Sequence, residues 1–134
     1  MLWLGAASAC FAGVSVEGGW IRTPPPEARA AAGYLVLINP GPSTTLVGAV
    51  SPAASSVTLH ESRVESGMAH MNPVAALVLP PGQRVVLSPG GYHLMFMGLT
   101  RSWQSGERVP VTLRFGNGQT LEVVLTVADQ ASGR

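Results

Sequence analysis

Lysine is missing altogether, and the eight basic residues are all arginine against seven acids, a net charge of +1. No basic stripe is available to displace counterions from phosphates, which argues against a nucleic-acid partner. We read no function into the arginine bias itself, which fits codon usage. Cysteine is nearly missing: Cys10 stands alone, inside the N-terminal apolar run. That excludes an internal disulfide, a cysteine-rich zinc site and a Cys-x-x-Cys-His haem attachment. It also leaves no thiolate in the body of the chain for a blue-copper centre. The longest apolar run, at the N-terminus, is short of the ~20 residues that a membrane-spanning helix needs. No nucleophile–base pair, no His-Glu-x-x-His and no carboxylate pair at a working spacing is present, so the chain does not read as an enzyme.

What remains is a chain of 134 residues, 46% apolar and 11% charged, enough for one domain with a real core. Residues 1–13 (MLWLGAASACFAG) resemble the end of a secretory signal, with Ala7-Ser8-Ala9 as a small-residue cleavage site. Cys10 is the residue that would be lipidated if the segment is a lipoprotein leader. Export to the periplasm or another extracytoplasmic place follows, with membrane contact only through that N-terminal anchor. Residues 14–129 read as the domain and 130–134 as a short tail.

Within the domain, short β-rich runs are separated by turn residues every 8–12 positions, which predicts an antiparallel β-sandwich. Val14–Thr23 is a strand with a bulge at Gly18-Gly19. Gly33–Asn39, Thr45–Val50 and Ser56–Val64 follow. Glu65-Ser66-Gly67 is the bend into a returning arm, Gly67–Asn72. Ala76–Leu79 and Arg84–Leu87 are short runs, and Ser88-Pro89-Gly90-Gly91 turns the chain into Tyr92–Met97. Val109–Phe115 and Gln119–Val127 form a hairpin whose Asn117-Gly118 predicts a turn with two positive-φ residues. The only helical expectation is one turn at the alanines of 28–32.

The chemistry concentrates in Thr58–Leu99. This stretch holds all three histidines, His60, His70 and His93, and every methionine after the first, Met68, Met71, Met95 and Met97. In an extended Tyr92–Met97, residues 93, 95 and 97 share one face, while Leu94 and Phe96 turn to the other. His60 falls on the polar face of its strand. Met68 and His70 share a parity that Met71 does not, so periodicity leaves open which of them faces an ion. Neutral imidazole and thioether donors suit soft monovalent copper. Thioethers are poor ligands for Ca²⁺ or Mg²⁺, and structural zinc prefers thiolates or several imidazoles. A His/Met site without a redox partner is the chemistry of carrying Cu(I). Because imidazole must be deprotonated to bind, affinity is expected to weaken below about pH 6. The competing reading is a β-sandwich interaction module whose methionines form a sticky surface without metal.

The spacing His60, ten residues, Met71, twenty-one residues, His93, one residue, Met95 is similar to the H-x10-M-x21-H-x-M signature of the PCuAC periplasmic copper chaperones. Trp20-Ile21-Arg22, Ala31-Ala32-Gly33-Tyr34, Met71-Asn72-Pro73-Val74 and Pro89–Met95 also resemble landmarks of that family. The resemblance implies a cupredoxin-like Greek-key β-sandwich and Cu(I) held by His60, Met71, His93 and Met95. It further implies a monomer that delivers copper toward the Cu(A) centre of cytochrome oxidase subunit II, or to a Sco-type protein. Two departures stand out. Met68, His70 and Met97 are additional donors, and the tail Ala128–Arg134 lacks the His/Met-rich extension of some members.

Overall fold

The computed structural model describes residues 13–129, so the leader and the tail beyond Asp129 lie outside the described residues. Ten strands account for the fold: β1 (Ser15–Arg22), β2 (Ala30–Asn39), β3 (Thr44–Val50), β4 (Ala54–Glu65) and β5 (Met68–Pro73), then β6 (Leu77–Leu79), β7 (Gln83–Leu87), β8 (Tyr92–Leu99), β9 (Arg108–Phe115) and β10 (Thr120–Ala128). Among the described residues there is no helix, and so none long and apolar enough to cross a membrane.

Seven strands follow one another by hydrogen bonding in the order β4-β8-β2-β1-β10-β9-β3. A single β3–β4 pair, Ala49 opposite Val57, joins the two ends. The expected all-β architecture is present, with its hydrogen bonding continuous around a barrel-like sheet. Closure leaves the ring of seven without a free end, while β5, β6 and β7 each pair with one strand only and remain as short edges. One pairing departs from the antiparallel expectation: β1 runs parallel to β10, with Trp20 opposite Thr126. The first and last strands need no direct turn between them, so the parallel arrangement costs no crossover connection.

Alternation along the strands fills the interior. Ile21, Leu35, Leu94, Phe96, Leu113 and Leu125 are all fully enclosed, each contributing on the order of 1.5–3 kcal/mol by burial. Phe96 lies edge-on to Trp103 at 5.5 Å. Gly33 on β2 lets that ring in, since a Cβ there would come within 2.8 Å of Phe96 Cε1.

Two local expectations are corrected. Ala30–Ala32 are not a helical turn but the first residues of β2, paired with Met97, Phe96 and Met95. Tertiary pairing has overridden the helix propensity of alanine. At Asn117-Gly118 only the glycine has positive φ (90°). The Gly118 N–H donates to Phe115 O, and the Phe115 N–H to Gln119 O. This is the longer hairpin loop, a type I turn closed by a glycine bulge. The turn with two positive-φ residues lies instead at Ser66-Gly67 (53° and 78°), joining β4 to β5.

The sheet forks at two places. The β2 edge carries β8 as far as Gly33 and then β7 from Leu35 onward. The β4 edge carries β3 at Val57 and then β5 from His60 onward. Both forks fall at the same level, and that level is where His60 and His93 sit.

Candidate metal centre

Residues directly opposite one another in an antiparallel ladder share a face, so the register shows which candidate donors lie on the same side. On β4 and β8, His60 is opposite His93, and Thr58 is opposite Met95. On β4 and β5, Ser62 is opposite Met71 and His60 is opposite Pro73. His60, Ser62, Met71, His93 and Met95 therefore project from one face of three neighbouring strands. It is the outer face of the sheet, because Leu94 and Phe96 turn the other way into the core. The parity problem of the returning arm is resolved by register: Met71 is on the histidine side. Met68 pairs with Glu65 and His70 with Arg63, and both lie on the opposite face. Met97 shares the histidine face but sits farther along β8, opposite Ser56 and Ala30.

The two imidazoles lie 5.7 Å apart between ring centroids, tilted by 57°. His93 is only 2% exposed, Met71 is 59% exposed on the edge strand, and His60 and Met95 are half-buried. His60 Nδ1 and His93 Nε2 are both buried without a hydrogen-bond partner. An unsatisfied buried nitrogen costs on the order of 1–3 kcal/mol, and two of them on neighbouring rings of one strand pair suit a group that accepts lone pairs. Among the described residues no three His, Cys, Asp or Glu side chains gather at one place. A metal held here must therefore draw on the thioethers. Glu61 is turned to the other face and pairs with Arg63 at 3.3 Å, a surface ion pair rather than support for His60.

Sequence reasoning named Trp20, Tyr34 and the segment with Gly91 only as family landmarks and gave them no role beside His93. Burial pulls its pKa below 6.5; a hydrogen bond to the Gly91 backbone opposes this, and the nearby His60 adds to the lowering. On its other side His93 meets the Tyr34 ring at 6.4 Å, and Tyr34 packs on Trp20 at 5.1 Å. Trp20 and Tyr34 are buried yet outside the core cluster. They form a row of rings across β1, β2, β8 and β4 that ends at the histidine pair. The available signal was Tyr34 at the same parity as Ala30 and Ala32, a large ring directly after two small residues on that face.

The lowered His93 pKa has a consequence for stability. Below the unfolded value of about 6.5, the unfolded chain takes a proton that folded His93 refuses. Stability should then fall as pH drops through that region, by at most ~1.4 kcal/mol per pH unit, until the folded pKa is reached. Urea denaturation of the metal-free protein across this range checks it. A flat profile, or the same slope in His93→Leu, would show that His93 is not the group responsible.

Known proteins share this architecture. The fold is that of PCuAC domains. The copper-bound PCuAC domain from PmoF2 superposes with a TM-score of 0.74 at 24% identity, covering 88% of this chain and 94% of that one. The Cu(I) form of DR1885 from Deinococcus radiodurans gives a TM-score of 0.72 at 35% identity, covering 96% and 87%. A model of the LpqE-like lipoprotein family matches residues 14–127. A Leifsonia xyli subsp. xyli protein described as a lipoprotein is 38% identical over 119 residues, 87% of this chain and 70% of that protein. The chain belongs to the LpqE-like family, which is of PCuAC type.

Proposed function

We propose that this protein is an exported Cu(I) carrier that holds the ion with His60, Met71, His93 and Met95. The observation that carries the reading is the pair of buried, partnerless nitrogens, His60 Nδ1 and His93 Nε2, on a face shared with two thioethers. Two neutral imidazoles and two thioethers match the softness of Cu(I). The likeness to DR1885, whose solved form contains Cu(I), supports it. The ion is cargo. In this reading the chain acts as a carrier rather than an enzyme.

The asymmetry of the site suits that work. His93 is fixed from behind by Tyr34 and Gly91, so one donor is oriented before the ion arrives. Met71 rides on an edge strand that pairs only with β4, so that donor can yield when an acceptor approaches. The lowered His93 pKa also favours the neutral imidazole, the form that binds a metal. Proton competition at this ligand therefore begins at lower pH than for an ordinary histidine.

The lipoprotein descriptions of the relatives support an extracytoplasmic location, with lipid attachment through Cys10 as the anchor. In this reading the frame is a cupredoxin-like one, the protein works as a monomer, and the recipient is a copper-accepting protein. The Cu(A) site of cytochrome oxidase and a Sco-type protein are the candidates. X-ray absorption on the Cu(I)-loaded protein tests the donor set, with two nitrogen and two sulfur neighbours expected. A shell without sulfur would overturn it. Exposed Val64, Met68 and Met71 on the β4–β5 hairpin favour the alternative of a methionine-rich contact surface. Competition with a Cu(I) chelator separates the two, because a contact surface yields its copper at once.

A further inference from the structure

The outer face around β8 forms a small lattice. At its upper level Tyr34, His93 and His60 lie side by side across β2, β8 and β4. One step along β8, Met95 stands between Ala32 and Thr58, and one step farther Met97 stands between Ala30 and Ser56. Rings wall the histidine level, whereas only small side chains flank the two methionines. Exposure changes in order along the strand: Met97 is 43% exposed and His93 2%, with Met95 half-buried between them. Alternate residues of a strand are about 6.6–6.8 Å apart, and a thioether on three rotatable bonds can sweep much of that span.

We propose that Met97 is an acquisition ligand: it takes Cu(I) from an external donor at the surface and passes it along the face of β8 to Met95 and the histidine pair. This rests on the copper-carrier reading and adds a site to it. Met97 is not one of the four resident ligands. Its sulfur binds an incoming ion while the source ligand is still attached, so the exchange proceeds through a shared intermediate without free copper. No electron moves: one Cu–donor bond forms as another breaks, and the ion remains Cu(I). Two features distinguish Met97 from the other exposed methionines. Met71 is itself a proposed resident ligand, and Met68 lies on the wrong face of the hairpin.

A group that only speeds exchange must speed it in both directions, because it leaves the end states unchanged. The test is the rate at which the reduced protein takes Cu(I) from its bicinchoninate complex, and the rate at which excess bicinchoninate removes it. Met97→Leu should slow both by a common factor of about tenfold while the dissociation constant stays within about twofold, the separation of rate from affinity expected for a kinetic ligand. Met68→Leu should change neither. Unchanged rates in Met97→Leu would overturn the proposal and direct the ion to the Met71 flank. An affinity loss as large as that of Met95→Leu would also overturn it, by making Met97 a resident ligand. If the wild-type protein takes no copper, the carrier reading falls together with this one. If it loads normally and only the Met97 result fails, the carrier reading stands.

Discussion

Replacing His93 by leucine should remove tight Cu(I) binding while leaving the metal-free protein folded. Affinity is expected to fall by more than the 10–100-fold typical of losing a group that merely orients a metal ligand. The effect on stability is a near balance. The variant gives up the hydrogen bond to Gly91, worth about 0.5–1.5 kcal/mol. It also removes the partnerless Nε2, whose burial costs on the order of 1–3 kcal/mol. Leucine still fills the space beside Tyr34. The metal-free variant should therefore unfold in urea within about 1 kcal/mol of wild type, or slightly above it. Chelator competition and urea denaturation read the two quantities separately. Retained affinity would mean that Nε2 is not a donor. A large loss of stability would mean that His93 is kept for the fold instead of the ion.

Phe96→Ala should do the reverse, harming the fold far more than the chemistry. Phe96 is fully enclosed, fills the space that Gly33 leaves open and meets Trp103 edge-on. Truncating such a ring costs about 3–5 kcal/mol, which in a domain of this size lowers the melting temperature by roughly 10–20 °C. Its β8 neighbours are Met95 and Met97, so the loss also loosens the strand that carries the proposed donors His93 and Met95. Binding only the folded state, Cu(I) at a hundred times its dissociation constant should restore about 2.7 kcal/mol. Thermal melts with and without Cu(I) check this. A shift under about 5 °C for the metal-free variant would show that the β2–β8 interior repacks around the cavity.

Much of this was legible before any coordinates. Strand positions followed from alternation and turn residues, and the bend at Glu65–Gly67 and the bulge at Gly18-Gly19 stand where they were expected. Leu94 and Phe96 face the core opposite His93, as the parity of one strand required. Elsewhere local rules gave way. Ala30–Ala32 joined a strand because β8 supplies partners that a lone segment lacks. At Asn117-Gly118, glycine alone takes positive φ, since the hairpin closed one residue wider than its dipeptide suggested.

The sequence by itself determined the ingredients: an all-β chain, soft donors gathered in one stretch, and one strand that sends its donors to one side and its apolar residues to the other. Those properties are local, fixed by side-chain chemistry and a period of two. Tertiary structure decided which candidate donors share a face. Register between β4, β5 and β8 is a relation among segments far apart in the chain, and a slip of one residue would reverse every face. It put Met71 on the face of His60 and His93, and Met68 and His70 on the far side, and it brought Tyr34 against His93. It also left two nitrogens without partners, because only the packed sheet removes the water that would otherwise satisfy them.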